Sequence, residues 1–259
     1  AASAQPKYPE RPIRLVASTT AGSQPDMIAR TLGQKMHEHW GSPVVVDNRP
    51  GGGGTLAAAP VAKATPDGYT LLYALPNFAT SAVLQQGLPY DPLEDFTRVA
   101  HIGISTNVLV CVPSLSVKSV PDLIAAAKAR PGKLIHVSSA TGSASHLSGA
   151  RFAFITGIKT VHVAYKGGPD AVIELLGGRG HFHVGTMGVT LPFVREGKLV
   201  ALAVTSPQRA PVLPDVPALG EFLAEFKRPD TSHGILAPAR TPPAIVDQLS
   251  KEIARILDL

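Results

Sequence analysis

The sequence is poor in several residue types, and each shortage excludes a class of protein. Cys111 is the one cysteine among 259 residues, so an internal disulfide cannot form. Aromatic residues make up 5% and charged residues 17%, whereas apolar residues make up 44%, which favours a substantial core over disorder. No apolar run approaches the ~18 residues that a transmembrane helix needs. Since Cys111 lies within an apolar run, we expect a small buried core residue there.

Positive charge is also modest, because the formal net charge is +5. The Lys and Arg residues are scattered and are not interleaved with aromatic residues, as they would be on a nucleic-acid platform. We therefore predict no nucleic-acid partner. A weakly basic chain slightly favours small anionic ligands.

The segment 16–30, VASTTAGSQPDMIAR, combines a strand, a polar loop and a helix start. An apolar run beginning at Ile13 predicts the strand, and a loop of hydroxyl, glycine and amide residues follows it. Pro25 and Asp26 then open a helix, because proline suits the first helical position and an acid in the first turn complements the helix dipole. The free N–H groups of such a helix end can bind an anion. The same device recurs at 134–154, where a strand leads through small polar residues into a helix.

Strands alternate with helices through both halves, which predicts parallel sheets with crossover helices. Val44–Val46 is predicted as a short buried strand, and Thr55 as the cap of the next helix. Two strands in series, 99–104 and 108–112, break the alternation where the chain would pass from one lobe to another. Two α/β halves with one anion-friendly loop each predict a cleft that closes on a ligand.

The motifs of common enzymes and cofactor sites are absent or incomplete. Residues 52–57, GGGTLA, fit a dinucleotide-binding pattern formally, but no acidic residue ends a strand at the expected distance. The chain has no G-x-S-x-G elbow, no P-loop and no H-E-x-x-H motif. His181 and His183 share a face of a predicted strand, yet no third ligand completes a metal set, so we interpret them as surface or cleft histidines. We predict no cofactor and no metal. His146 has two open interpretations, as a donor to an anion or as a support for its loop.

Several segments, taken together and in order, resemble one known family. They are YPERPIR at 8–14, PVVVDNRPG at 43–51, AKATPDGYTLL at 62–72, LPYDP at 88–92, SHLSG at 145–149, YKG at 165–167, ELLGG at 174–178 and GKLVALAVTS at 197–206. With these motifs, nearly the whole chain resembles the Bordetella uptake gene (Bug) family, the TctC-like substrate-binding proteins of tripartite tricarboxylate transporters.

The resemblance implies an α/β fold of the two-lobed type II periplasmic binding protein class, a Venus flytrap in which helices flank mostly parallel sheets and the chain crosses twice. Lobe 1 would comprise 1–103 plus 228–259, with its C-terminal part truncated, and lobe 2 would comprise 104–227. The resemblance also implies no enzymatic activity. It implies a periplasmic location after removal of an export signal, and membrane transporter subunits as partners. The small residues of Ala1–Pro6 resemble the end of such a signal, with a vector-derived or chance Ala-rich start as the alternatives. A monomer is the default for such a delivery protein.

The implied ligand is a small carboxylate, such as a monocarboxylate, a dicarboxylate or an aromatic acid, held in the cleft between the lobes. The expected ligand-binding residues are Thr19, Ser23, Gln24, Asp26 and Asn77 on one side, and Thr141, Ser143, Ser145, His146 and Thr186 on the other. Asp26 is expected to orient its loop or to cap the helix, because a bare carboxylate would repel the ligand. Relatives carry acids where this chain has His181 and Gly185, and their absence suits an anion better than a zwitterion. Two alternatives stay open: a sensory component that signals through a membrane partner, and an α/β hydrolase-like enzyme with His146 as base.

Overall fold

A computed structural model describes residues 8–224 and 231–258 of the chain. The strands are β1 (Ile13–Ala17), β2 (Val44–Asn48), β3 (Thr70–Ala74), β4 (Phe96–Ser105), β5 (Asn107–Cys111), β6 (Ile135–Ser138), β7 (Val161–Ala164), β8 (Phe182–Thr186), β9 (Val200–Val204) and β10 (Thr231–Pro238). The helices are α1 (Gln24–Trp40), α2 (Thr55–Ala62), α3 (Pro76–Leu84), α4 (Val120–Ala129), α5 (Ala144–Thr156), α6 (Gly168–Leu176), α7 (Met187–Arg195) and α8 (Pro243–Leu257). Among the described residues, no helix is both long and apolar enough to cross a membrane.

The chain divides into two compact units. The first comprises the residues up to Ala21, Pro25–Gly103 and the chain from His233 onward, and the second comprises Gly22–Gln24 and Ile104–Ser232. The predicted lobe boundary at 227/228 and the predicted signal remnant Ala1–Pro6 lie outside the described residues. The predicted truncation of lobe 1 stays a prediction.

Each unit is built on one five-stranded sheet. The strand order is β2-β1-β3-β10-β4 in the first unit and β7-β6-β8-β5-β9 in the second. In the first sheet, β1 pairs in parallel with β2 and β3, whereas β10 runs antiparallel to β3. In the second, β6 pairs in parallel with β7 and β8, and β5 runs antiparallel to β8 and β9. The predicted fold class is confirmed, although both sheets mix parallel with antiparallel pairs.

Each unit has its own apolar core, which consists of two clusters of buried side chains. In the first, the inward face of β1 packs against α1 and α8, with Leu15, Leu32 and Leu249 buried together. In the second, Phe152 of α5 packs against Phe182 of β8. Cys111 is buried in this second core, as predicted, and burial raises the pKa of its thiol to about 12.

Two local predictions are wrong. The strand at Val44–Val46 is not buried, because β2 is an edge strand and Val45 is 54% exposed. Thr55 does not cap α2. It is the first residue of that helix, and the N-cap is Gly54 in a left-handed conformation with φ 100°. A left-handed N-cap favours glycine, which pays no Cβ penalty there.

Candidate functional site

The first polar loop joins β1 to α1 in the first part of the chain. Gly22 turns the loop with a φ of 75°, and the side chains of Thr19 and Ser23 are buried. Gln24 begins α1, and its Oε1 is buried without a hydrogen bond from any described residue. Three of the predicted ligand residues thus lie on one short loop and the helix turn that follows it.

Asp26, in the first turn of α1, is occupied by its own neighbours. Its carboxylate accepts hydrogen bonds from Arg30 Nε at 3.0 Å and from Asn48 Nδ2 at 2.9 Å, and the residue is 2% exposed. Arg30 also donates to Asn48 Oδ1 at 2.9 Å, which closes a three-residue network between α1 and β2. This network is what an orienting role for Asp26 requires, and the role itself stays a prediction.

Asn77 is buried near the start of α3 and packs against glycine backbone. A Cβ on Gly54 would lie 2.8 Å from Asn77 Nδ2, so a side chain at that position would displace the amide. Ser18 Oγ donates a hydrogen bond to Asn77 Oδ1 at 3.3 Å. Asn77 is therefore fixed to the end of β1, where the first polar loop begins.

The second polar loop joins β6 to α5 and is held by serine hydroxyl groups. Ser143 is the N-cap of α5: its Oγ accepts from the backbone N–H of His146 at 3.3 Å and donates to the carbonyl of Ala140 at 2.6 Å. Ser145 Oγ accepts from the N–H of Ser139 at 2.9 Å and lies 3.0 Å from Ser143 Oγ. Thr141, at the loop tip, is exposed. The loop thus presents hydroxyl groups beside the positive end of a helix.

His146 supports this loop from the first turn of α5. Its Nδ1 accepts a hydrogen bond from the N–H of Gly142 at 3.1 Å, so the neutral ring carries its proton on Nε2. The ring stacks on that of His162, with centroids 4.1 Å apart and planes inclined by 21°. Burial lowers the pKa of His146, which favours this neutral form.

Thr186 ends β8 and precedes α7, where its carbonyl accepts from Thr190 Oγ1 at 3.1 Å. His181 and His183 lie on the same segment, but they are not both surface or cleft residues as predicted. His183 is 1% exposed and its Nδ1 donates to the carbonyl of Val137 at 2.7 Å, so it is a core histidine. His181 is partly buried and its Nδ1 accepts from the N–H of Ile135 at 3.0 Å.

Two further histidines near the second polar loop were not predicted from the sequence as part of the site. His136 on β6 and His162 on β7 are register partners in adjacent parallel strands, and their ring centroids are 5.3 Å apart. Burial, reinforced by the charges that His183 and His162 would carry, lowers the pKa of His136 to about 3. The sequence offers one signal, a histidine in each of two successive strands, but it does not give their register.

The site shows little of what bond-breaking chemistry or metal binding needs. Within the part of the chain that the structure describes, no group of three or more His, Cys, Asp or Glu side chains is arranged to hold a metal ion. His146, the base of the enzyme alternative, already uses Nδ1 to accept from Gly142. The arrangement is suited to holding an anion with hydroxyl and N–H donors.

Comparison with known proteins identifies the family. Residues 28–258 match the model of the tripartite tricarboxylate transporter family receptor, TctC. The chain is 36% identical over 253 residues to protein BugT of Bordetella pertussis (strain Tohama I), an alignment that covers 96% of this chain and 77% of BugT.

Solved structures are similar over nearly the whole chain. The structure of R. palustris Rpa4515 with adipate has a TM-score of 0.90 at 36% identity and covers 96% of this chain and 83% of that one. MatC from Rhodopseudomonas palustris with bound malate has a TM-score of 0.91 at 29% identity, covering 97% and 86%. The periplasmic binding protein BugD has a TM-score of 0.88 at 31% identity, covering 96% and 83%. The chain therefore belongs to the TctC family of periplasmic solute-binding proteins.

Proposed function

We propose that this protein captures a small carboxylate in the periplasm and delivers it to a tripartite tricarboxylate-type transporter in the membrane. The observation that carries the proposal is the likeness to Rpa4515 and MatC, whose structures hold adipate and malate. Both ligands are dicarboxylates of four to six carbons. We therefore place a dicarboxylate first among the candidate ligands, ahead of monocarboxylates and aromatic acids.

The chemistry of the second polar loop supports an anion. Ser143 and Ser145 are held by backbone partners at the first turn of α5, a helix of 13 residues. Helix N-termini stabilise negative charge, and hydroxyl or N–H donors bound to a carboxylate form charge-assisted hydrogen bonds. His146 adds an Nε2–H donor without adding a formal charge. A carboxylate can thus be held here without an arginine.

We assign the ligand contacts to both polar loops. Donors from the first part of the chain would be Thr19, Ser23, Gln24 and Asn77, with Asp26 orienting the loop. Donors from the second would be Thr141, Ser145, His146 and Thr186, whereas Ser143, whose one hydroxyl proton goes to the Ala140 carbonyl, would contribute through the helix N-terminus that it caps.

In this proposal the protein binds its ligand without converting it chemically. An enzyme that used His146 as a base would need a nucleophile or a metal beside it, whereas His146 Nδ1 already accepts from Gly142 N–H. The proposed protein is an exported monomer whose partners are its ligand and the membrane subunits of the transporter.

The test is a thermal-shift panel followed by calorimetric titration. Adipate, malate, citrate, benzoate and arginine are added separately to the purified protein at pH 7.5. A ligand at a hundredfold excess over its dissociation constant stabilises the folded state by about 2.7 kcal/mol, which raises the melting temperature clearly. We expect a shift with at least one dicarboxylate and none with arginine. A protein that melts cooperatively but responds to no carboxylate would refute the proposal, and consumption of a bound acid would favour the enzyme alternative.

A matched pair of variants locates the site. Thr141→Val removes one exposed hydroxyl from the second loop and keeps the side-chain shape. A hydrogen bond to a charged group contributes roughly 1.5–3 kcal/mol, so affinity for the dicarboxylate should fall about tenfold or more. Thr31→Val makes the same change on the exposed face of α1 and should leave affinity unchanged. If the two variants bound the dicarboxylate with equal affinity, Thr141 would not be a ligand contact.

A further inference from the structure

His162 makes two contacts that converge on the second polar loop. It lies on β7, the exposed edge strand of the second sheet. Its Nε2 is 2.7 Å from Ser138 Oγ, and its ring stacks on His146 with centroids 4.1 Å apart. One edge-strand side chain therefore contacts residues on both flanks of the loop.

Each contacted residue fixes one point of the loop backbone. Ser138 Oγ donates to the carbonyl of Ala140 at 3.3 Å, and His146 Nδ1 accepts from the N–H of Gly142 at 3.1 Å. Thr141, the exposed tip, lies between these two fixed points. Movement of the His162 ring would therefore disturb both supports of the tip.

The hydrogen-bond pattern fixes where the protons lie. When Ser138 Oγ donates its one hydroxyl proton to the Ala140 carbonyl, the donor in its 2.7 Å contact with His162 is the Nε2–H of the ring. His146 accepts at Nδ1 and so carries its proton on Nε2. The accepting Nδ1 makes His146 neutral, and the lowered pKa of His162 keeps that ring neutral near pH 7. A proton added to His146 Nδ1 would face the N–H of Gly142 and break that hydrogen bond.

The titratable neighbours also disfavour charge on the stacked rings. His136 on β6 lies beside His162 with centroids 5.3 Å apart, and His183 on β8 is close enough to act electrostatically on His136. Burial, with repulsion from His146, lowers the pKa of His162. Two stacked imidazolium rings would repel each other, so each ring opposes protonation of the other.

We propose that His162 is a positioning residue for the ligand: it holds Ser138 and His146 so that the loop around Thr141 keeps its carboxylate-binding conformation and His146 keeps its Nε2–H donor. The proposal rests on the function proposed above. It makes no claim that His162 contacts the ligand. Its consequence is that ligand affinity depends on the protonation state of a ring pair behind the loop.

Two variants each remove one contact of His162, and a third serves as the control. His162→Phe keeps a ring for the stack and removes the donor to Ser138. His162→Gln keeps an amide donor near the Nε2 position and removes the ring. His37→Phe removes an exposed histidine from α1 and serves as the matched control. Circular dichroism at each pH establishes that every variant is folded before its binding is compared.

The conformation of the loop is measured without ligand, and the binding affinity is measured with adipate or malate. Nitrogen-15 spectra should show the Nε2–H tautomer of His146 in the wild type. Hydrogen exchange of the Gly142 amide should be about tenfold faster in both His162 variants than in the wild type or in His37→Phe, because a hydrogen bond of about 1.4 kcal/mol corresponds to a factor of ten. Dicarboxylate affinity at pH 7.5 should fall by a similar factor.

A pH profile distinguishes positioning from general destabilisation. Between pH 8 and 5 the wild type should bind more weakly as His146 protonates. In His162→Gln this loss should begin at higher pH, because removing the stacked ring exposes His146 and relieves the burial that lowers its pKa. The control should follow the wild type.

The outcomes separate the two proposals. An Nδ1–H tautomer of His146 in the wild type would overturn the positioning role, as would His162 variants with wild-type Gly142 exchange and a wild-type pH profile. If the exchange and tautomer results hold but no carboxylate binds the wild type, the positioning of the loop stands and the proposed function fails.

Discussion

The contact between Gly149 and His136 allows a sharp test of packing in the second unit. Gly149 lies within α5, and a Cβ at that position would be 2.0 Å from Cε1 of the His136 ring. The ring is buried and stacks on Phe182 with centroids 5.1 Å apart, so it has little room to move. In Gly149→Ala, it would have to shift by about 1.4 Å to reach an ordinary contact distance of 3.4 Å.

Two effects oppose each other in Gly149→Ala. Alanine is about 1 kcal/mol better than glycine inside a helix, whereas overpacking a close-packed core costs about 1–3 kcal/mol. Because the added Cβ would clash severely with a rigid buried ring, we place the overpacking cost at the upper end of this range. The free energy of unfolding should fall by about 1–2 kcal/mol, and the melting temperature by about 3–6 °C.

Thermal and urea unfolding followed by circular dichroism measure this change. Gly168→Ala is the matched control, because Gly168 begins α6 and its added Cβ would meet Val189 at an ordinary 3.8 Å. The control should be as stable as the wild type or slightly more stable. In the double variant Gly149→Ala/His136→Ala, the cost of the first change should largely disappear, since the clashing ring is gone. If Gly149→Ala alone matched or exceeded the wild type in stability, the packing argument would be refuted.

Two further predictions concern buried polar groups. Asp26→Ala removes the acceptor for Arg30 and Asn48, and should lower the free energy of unfolding by about 1–3 kcal/mol. Urea titrations followed by Trp40 fluorescence measure this change. An unchanged unfolding midpoint with weakened ligand binding would instead make Asp26 a ligand contact. Burial lowers the pKa of His183 to about 4 from an ordinary 6.5. Between pH 6.5 and 4, the unfolded chain therefore binds a proton on this side chain that the folded chain does not bind. Stability should therefore fall as the pH falls from 6.5 to 4, and His183→Asn should make this fall shallower in unfolding measured across that range; an identical slope would contradict the argument.

Much of the fold follows from local sequence signals. The apolar runs predict strands at 44–46 and 108–112, which the structure has as β2 (Val44–Asn48) and β5 (Asn107–Cys111), within one or two residues. Pairing between distant segments is not encoded locally. The antiparallel insertion of β10 beside β3 depends on residues about 160 positions apart, and no periodicity within either segment predicts it. The exposure of Val45 has the same origin, since only the strand order makes β2 an edge.

The candidate site shows the same division between local and distant information. Hydroxyl groups, a glycine turn and a helix start are local features, and they point to both polar loops. The pairing of His162 with Ser138 and His146 requires the register of β7 on β6, which the sequence does not give. The prediction that His183 lies at the surface or in a cleft is wrong for a related reason. The alternation of side chains along a strand predicts two faces, but it does not say which face a layer of helices covers.

The strand order of the first sheet has a consequence for how the protein is made. β10 lies between β3 and β4, so the first sheet stays in two pieces until synthesis has passed β10, Thr231–Pro238. Most of the second unit comes from one continuous stretch, Ile104–Ser232, and its contacts can form as soon as that stretch is available. The second unit can therefore fold before the two main parts of the first unit have met. A ribosome-stalled or proteolytic fragment that ends before β10 should retain a structured second unit beside an unfinished first one.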